Sequence, residues 1–287
     1  MADPKLKQAI RDGEFVLAPG VFDLISALIA DTIAFKALYV TGYGTVASYL
    51  GLPDAGIATY RDMIERIAQI VERTKRPVIA DADTGYGGLL NVRHTVRGYE
   101  NAGVSAIQIE DQEFPKKCGH TPNRRVVPLE DMVRKIEVAV DSRKSDDFLI
   151  IARTDSRTGL GLNEAIRRGK AFAKAGADVV FIESPESADE MQRICDEIDA
   201  PLFANIVNGG RTPLLSADVL HKMGFSIAIH PAIGFLSAGA ALRKAYSDLQ
   251  KNGETSADID LYSFAEFNQL LGFQDVWDFE KKFAQVP

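Results

Sequence analysis

The chain is expected to fold as a parallel (β/α)8 barrel of the TIM type, and three observations lead there. Short apolar, β-branched runs recur eight times. Segments of helical periodicity separate them. The length of 287 residues suits one such barrel better than a two-layer domain. The runs are 15–19, 37–41, 77–81, 106–110, 148–153, 179–183, 201–205 and 225–230. Near-continuous apolar runs are what parallel strands covered on both faces require. Between them, Tyr60, Met63, Ile64, Ile67, Ile70 and Val71 make one apolar stripe on a helix over 59–72. Leu129, Met132, Val133, Ile136, Ala139 and Val140 do the same over 128–143, where Glu130 and Asp131 suit a helix N-terminus. Segments 163–175, 188–198, 217–223 and 235–251 continue the alternation. No G-x-G-x-x-G follows the first strand, which speaks against an open dinucleotide-binding sheet. The barrel is assigned residues 1–257, and a C-terminal helical extension residues 258–287.

With 33 basic and 40 acidic residues the net charge is −7, which argues against nucleic-acid and anionic-membrane partners. A small acidic substrate is still compatible, because a local cluster of cations overrules the global sign. Two cysteines, Cys118 and Cys195, cannot build a disulfide framework and fit a reducing, cytoplasmic setting. The N-terminus lacks the apolar stretch of a signal peptide, and no run approaches the ~18 apolar residues of a membrane span.

A parallel barrel carries its site where the strands end. Those ends read Gly20-Val-Phe-Asp23, Thr41-Gly-Tyr-Gly44, Asp81-Ala-Asp83, Glu110-Asp111, Arg153-Thr-Asp155, Glu183, Asn205 and His230. Polarity resumes wherever a strand stops, which accounts for one or two such positions but poorly for all eight. Asp81 and Asp83, two apart on one strand, are expected to point the same way, with Glu110 and Asp111 on the next. Gathered carboxylates repel one another unless a cation neutralises them. Oxygen ligands without a nearby His or Cys pair suit Mg²⁺, with Mn²⁺ as the alternative, rather than Zn²⁺. Helix caps and turns are the bland account of the same acids.

The connection 112–127 is long for a compact barrel and carries Lys116-Lys-Cys-Gly-His120, the pattern of a working loop or lid. Its basic residues should favour a thiolate at Cys118, a proton donor or acceptor. Gly119 allows close backbone approach. A solvated basic loop with an incidental thiol competes with this reading, and the barrel-mouth position tips the balance toward chemistry. Arg153 is placed either to clamp a carboxylate or to make a rim salt bridge with Asp155 or Glu183, and spacing does not choose. Cys195, beside Met191, Ile194 and Ile198, reads as a core residue. His230 either faces the site or is structural.

Taken in order, Thr41–Gly44, Leu50–Asp54, Asp81–Gly87, Ile109–Gln112, Lys116–His120, Ala152–Asp155, Ala204-Asn205 and Thr212-Pro213 resemble the isocitrate lyase/phosphoenolpyruvate mutase superfamily over roughly residues 10 to 285. Lys116–His120 is similar to the signature of its lyase branch, which includes 2-methylisocitrate lyase, 2,3-dimethylmalate lyase, oxaloacetate acetylhydrolase and the petal death protein. The resemblance implies Mg²⁺ bound by Asp83, with Asp54, Asp81 and Glu110 holding its waters. Thr41, Gly42 and Tyr43 would receive the α-oxo-acid half of the substrate, and Arg153 its carboxylate or C2 oxygen. Cys118 would be the acid/base, with Lys116, Gly119 and His120 shaping the lid. Asn205, Asn208 and His230 would complete the pocket. The implied assembly is a homotetramer whose last barrel helix is swapped between subunits.

The implied activity is cleavage of a 2-hydroxy di- or tricarboxylate, resembling 2,3-dimethylmalate or 2-methylisocitrate, to an oxo acid and a carboxylate. Oxaloacetate hydrolysis or decarboxylation is the alternative, and phosphonate chemistry a weaker one, since the mutase branch lacks the cysteine. Two departures bear on the substrate. Asn208 stands where many lyases of the branch carry Glu, and His230 where the citrate-type lyases carry Tyr. Tyr43 and His230 together lean toward a malate-type substrate with small alkyl groups.

Overall fold

A computed structural model describes residues 2–119, 121 and 124–283. Helix α1 (Lys5–Arg11) precedes β1 (Val16–Val21), α2 (Leu24–Asp31) and β2 (Leu38–Val40). Two helices follow, α3 (Gly42–Leu50) and α4 (Tyr60–Arg73), then β3 (Val78–Asp81), α5 (Leu89–Asn101), β4 (Ala106–Glu110) and α6 (Leu129–Ser142). Next come β5 (Leu149–Thr154), α7 (Ser156–Leu160), α8 (Leu162–Lys174), β6 (Val179–Ile182) and α9 (Ala188–Glu197). The barrel ends with β7 (Leu202–Asn205), α10 (Ala217–Met223), β8 (Ile227–His230) and the start of α11 (Ile233–Asn252); α12 (Phe264–Leu271) and α13 (Phe273–Phe283) follow. The eight strands are parallel, pair in sequence order, and close through β1 and β8.

The expected barrel is therefore the observed one, and strict one-to-one alternation is not. Among the described residues there are thirteen helices. Helices α3 and α7 are short pieces inserted ahead of the main crossover helix after β2 and β5. The chain divides into two compact units, Met1–Phe235 and Leu236–Pro287. Among the described residues no helix is long and apolar enough to cross a membrane.

Alternation along the strands sorts the core into two sets. Val78, Ala80, Ile107 and Ile109 face the helices, in one cluster with Ile67 and Ile70 of α4. Tyr39, Ile79, Ala106, Ile151, Phe181, Phe203 and Ile229 fill the barrel interior, where Leu6 of α1 joins them. Helix starts carry their own signals. The Asp23 carboxylate accepts from Ser26 N at 2.7 Å and the Thr59 hydroxyl from Asp62 N, each with the reciprocal bond of a capping box. Asp23 is thus a helix cap, and the bland account of polar strand ends holds there.

Gly20, next to last in β1, lies against the chain after β8. A Cβ at Gly20 would lie 2.2 Å from the Pro231 carbonyl oxygen and 2.5 Å from its Cα, both backbone atoms that cannot swing away. Gly20→Ala is expected to cost about 3 kcal/mol, the upper end for overpacking. Urea denaturation measures this, and a loss below about 1 kcal/mol would mean that the Pro231 segment yields.

Candidate active site

Above the apolar interior, the next inward layer is charged. Asp81, Glu110, Arg153, Glu183 and Asn205 come from β3 to β7 or the residue just beyond, and all are buried. Asp54, in the loop after α3, and Lys116, in the loop after β4, complete it. Lys116 Nζ lies 2.6 Å from Asp54 Oδ1 and 2.5 Å from Asp83 Oδ1, with all three side chains under 9% exposed.

Asp83 reaches this position differently from the expected period-two spacing. Strand β3 stops at Asp81, and Asp83 sits in the left-handed region at φ 47°. The turn directs its backbone N–H onto Asp81 Oδ1 at 2.9 Å, while its carbonyl accepts from Glu110 N at 2.9 Å. Asp tolerates this conformation better than most residues, and holding it costs of order 1 kcal/mol. Asp111 also departs from the expected acid cluster. Its carboxylate accepts from Thr154 Oγ1 at 2.6 Å, Asp155 N at 2.9 Å and Arg168 Nη1 at 2.9 Å. It braces β5 to α8, because it follows Glu110 directly at the end of β4 and takes the opposite face. Burial pushes its carboxyl up to about 6.

Arg153 is held on several sides. Its Nε and Nη2 donate to the two Asp155 oxygens, each at 2.9 Å, and Nη2 lies 3.2 Å from Glu183 Oε2. Glu110 Oε2 is 3.5 Å from Nε, and the guanidinium sits 5.0 Å over the Phe181 ring. The salt-bridge reading of Arg153 is thus realised with Asp155 and Glu183 together. Arg124, from the long loop, pairs with the same Asp155 and donates to Thr158 Oγ1 at 2.7 Å. Asn205 Nδ2 donates to Glu183 Oε2 at 3.0 Å.

The loop lies directly on this layer. A Cβ at Gly119 would be 2.3 Å from Arg153 Nη2 and 2.7 Å from Glu183 Oε2, so only glycine lets the backbone come so close. Ser184 Oγ donates to Gly119 O at 3.1 Å, and Cys118 N donates to Asp54 O at 3.2 Å. Cys118, half-buried, is therefore placed between the Lys116 carboxylates and the Arg153 cluster. His120 lies outside the described residues. Thr41 is buried at the N-terminus of α3, and a Cβ at Gly42 would be 2.5 Å from Asp81 Oδ2. Tyr43, 41% exposed, stacks on Phe235 at 5.1 Å. Asn208 is exposed and His230 half-buried, with burial lowering the imidazole's affinity for a proton; among the described residues neither side chain makes a polar contact with the layer.

The layer carries more negative than positive charge. Asp54, Asp81, Asp83, Glu110, Asp155 and Glu183 outnumber Lys116, Arg124 and Arg153. Burial raises the Asp83 carboxyl to about 7, with the Lys116 ammonium only partly offsetting it, and raises Asp81 and Glu110 as well. Burial alone would lower Lys116, yet Asp83 and Asp54 hold it well above its usual value. Glu110 Oε1 is buried with no hydrogen-bond partner among the described residues. Among those residues no three His, Cys, Asp or Glu side chains converge to cage a metal. Oxygen donors, excess negative charge and an orphaned carboxylate oxygen fit a hydrated Mg²⁺ held by one or two carboxylates and its own waters. They do not fit a Zn²⁺ cage.

Gln108, Asp155, Glu183 and Arg124 belong to the layer or touch it without being among the expected site residues. Gln108 lies two before Glu110, so strand periodicity signals its direction, and Asp155 and Glu183 were visible as strand-end acids. Arg124 had no signal, because loops carry no period. Cys195 lies on α9 as expected, with burial pushing its thiol up to about 12.

The sequence family described as phosphoenolpyruvate phosphomutase matches residues 6–250. The 2,3-dimethylmalate lyase of Eubacterium barkeri is 45% identical over 281 residues, covering 98% of this chain and 97% of that protein. An oxaloacetate acetylhydrolase, solved with the inhibitor 3,3-difluorooxalacetate, superposes with a TM-score of 0.92 at 34% identity, over 97% of this chain and 95% of that one. A phosphonopyruvate hydrolase solved with oxalate and Mg²⁺ superposes with a TM-score of 0.89 at 29% identity, over 99% and 100%. Fold and site define a β/α-barrel enzyme of the carbon–carbon lyase type. The chain belongs to the phosphoenolpyruvate mutase/isocitrate lyase superfamily.

Proposed function

We propose that the chain is a Mg²⁺-dependent lyase that cleaves a 2-hydroxy dicarboxylate of the 2,3-dimethylmalate type between C2 and C3. The observation that carries this reading is the buried, electron-rich carboxylate layer lying beside the Arg153 guanidinium and under the Cys118 loop. The 45% identity to a 2,3-dimethylmalate lyase supports the substrate class.

Mg²⁺ would be held by Asp83, with Asp54, Asp81 and Glu110 around its water shell, and would supply Lewis-acid polarisation of the substrate's C2 oxygen. Thr41 and the start of α3 would seat the C1 carboxylate and its neighbouring C2 group. Cleavage passes the hydroxyl proton to a carboxylate of the buried layer, turns C2–OH into a carbonyl, and leaves the bonding electron pair on C3, delocalised into the adjoining carboxylate. Arg153 stands where it can hold that negative charge. The Cys118 thiol delivers the proton that converts the carbanion into a saturated acid. Asn208 is an amide and cannot accept the hydroxyl proton. The loop packed on Arg153 and Glu183 keeps water from reaching the carbanion first.

The test is pyruvate release from 2,3-dimethylmalate, with 2-methylisocitrate and oxaloacetate alongside. Release should need Mg²⁺, fall at least about 100-fold in EDTA, and return with Mg²⁺ or Mn²⁺. EDTA-resistant release would remove the cation from the reading. Oxalate and acetate from oxaloacetate, with 2,3-dimethylmalate inert, would move the assignment to the hydrolase that the structural likeness favours as second reading.

The same reading makes the protein a cytoplasmic homotetramer with a swapped helix. Within the C-terminal unit, Leu242, Tyr246, Phe264, Trp277 and Phe279 are all exposed, and neither α12 nor α13 has a buried residue. That much uncovered apolar surface suits a subunit contact.

A further inference from the structure

Gln108 lies one step below the acid layer. It is fully buried in β4, opposite Asp81 of β3 in register. Its Nε2 lies 3.3 Å from Asp81 Oδ1 and 3.4 Å from Glu110 Oε2, and its Oε1 accepts from the Tyr39 hydroxyl at 2.9 Å. Carboxylates that face a cation are ionised and accept only, so they turn the amide nitrogen upward and its oxygen downward, which makes Tyr39 the donor. The chain of bonds thus has one direction, from phenol to amide to acids. Tyr39 is 2% exposed, its ring rests on Phe203 at 6.1 Å, and Phe203 packs on Phe181 under Arg153. Burial, reinforced by Asp81, keeps the phenol protonated far above neutral pH.

An apolar pair would fill this space without the desolvation cost of a buried amide and phenol. Stability alone therefore does not call for a glutamine there. What the amide does is bridge two carboxylates that would otherwise repel, fixing one oxygen of each and leaving Glu110 Oε1 unbonded among the described residues. We propose that Gln108, oriented by Tyr39, is a positioning residue for the cation site, aiming Asp81 and Glu110 at a bound divalent ion or its waters. The proposal rests on the cation-site reading above. Neighbours that orient ligating groups are typically worth about 10- to 100-fold in metal affinity.

The experiment is Mn²⁺ binding followed by electron paramagnetic resonance, with no substrate present. It compares the intact protein with Tyr39→Phe, Gln108→Met and the double variant, each checked for folding by its circular-dichroism melt. Gln108→Met should raise the Mn²⁺ Kd about 10-fold or more, and Tyr39→Phe about threefold. In the double variant Tyr39→Phe should add nothing, since it acts through the amide. Equal Kd values in folded variants would overturn the proposal, and additive effects would overturn the relay from Tyr39. Tyr39→Phe loses one oxygen and keeps the ring, so it decides the matter even if Gln108→Met does not fold. An unsubstituted protein that binds no Mn²⁺ would instead defeat the cation-site reading itself.

Discussion

Arg153→Met should unfold the protein more readily as well as inactivate it. Arg153 is 6% exposed and lies among Asp155, Glu183 and Glu110; Asp155 keeps Arg124 when the guanidinium goes, whereas Glu183 and Glu110 lose the cation that Arg153 supplies. Removing one partner from a buried ionic cluster typically costs about 3–5 kcal/mol, because the remaining charges can be neither solvated nor matched. For a chain of this size that is a melting-temperature drop on the order of 10 °C. Glu183→Gln placed on Arg153→Met should recover part of the loss by removing one of the charges that Arg153 balances. Arg153→Lys separates the structural from the catalytic effect. It restores a charge but not the fork that meets both Asp155 oxygens at 2.9 Å, so the fold should largely return while kcat/KM stays down about 100-fold or more. Thermal melts and steady-state kinetics on the three variants check this. An Arg153→Met melt within about 2 °C of the parent would show that the layer does not depend on the guanidinium.

Much of the barrel could be read in advance, because its grammar is periodic. Strand β4 falls on the expected 106–110 and α10 on the expected 217–223, where an apolar run or stripe has clean borders. Helices α2 and α5 were not singled out by their stripe. In α5 the buried face is Val92, Thr95, Val96 and Tyr99, so a hydroxyl residue and a phenol mask it. The acids of the site were visible one by one as strand ends, but not how they combine. Asp83 joins Asp81 through a left-handed turn rather than through strand alternation, and Asp111 leaves for Arg168. Lys116 read as part of a solvated or catalytic loop, whereas it lies buried between Asp54 and Asp83. That pairing joins residues 62 positions apart, and no local period encodes it. Asn208 stands out as a departure from a pattern, and it is exposed, with no polar contact to the layer among the described residues.

Cys118→Ser is the second large effect, and it should fall on kcat with little change in KM or stability. The side chain keeps nearly the same volume. What anchors the loop there is backbone: Cys118 N on Asp54 O at 3.2 Å, and Cys118 O accepting from Thr121 Oγ1 at 2.7 Å. Lys116, Gly119 and the carboxylate layer keep their places, so substrate and cation should bind as before. A serine hydroxyl is a far weaker acid than a thiol, and loss of a positioned proton donor is typically worth about 100- to 10,000-fold. The carbanion would then wait for water, which the packed loop excludes. If the thiol delivers the proton in the enzyme's own reaction, deuterium from heavy water should enter the α-carbon of the saturated acid, the carbon that was C3 of the substrate. The variant should incorporate it at the same carbon but far more slowly. Wild-type turnover in Cys118→Ser would remove the thiol from the chemistry and turn attention to phosphonopyruvate. A rise in KM alone would mean that Cys118 binds substrate rather than reacts.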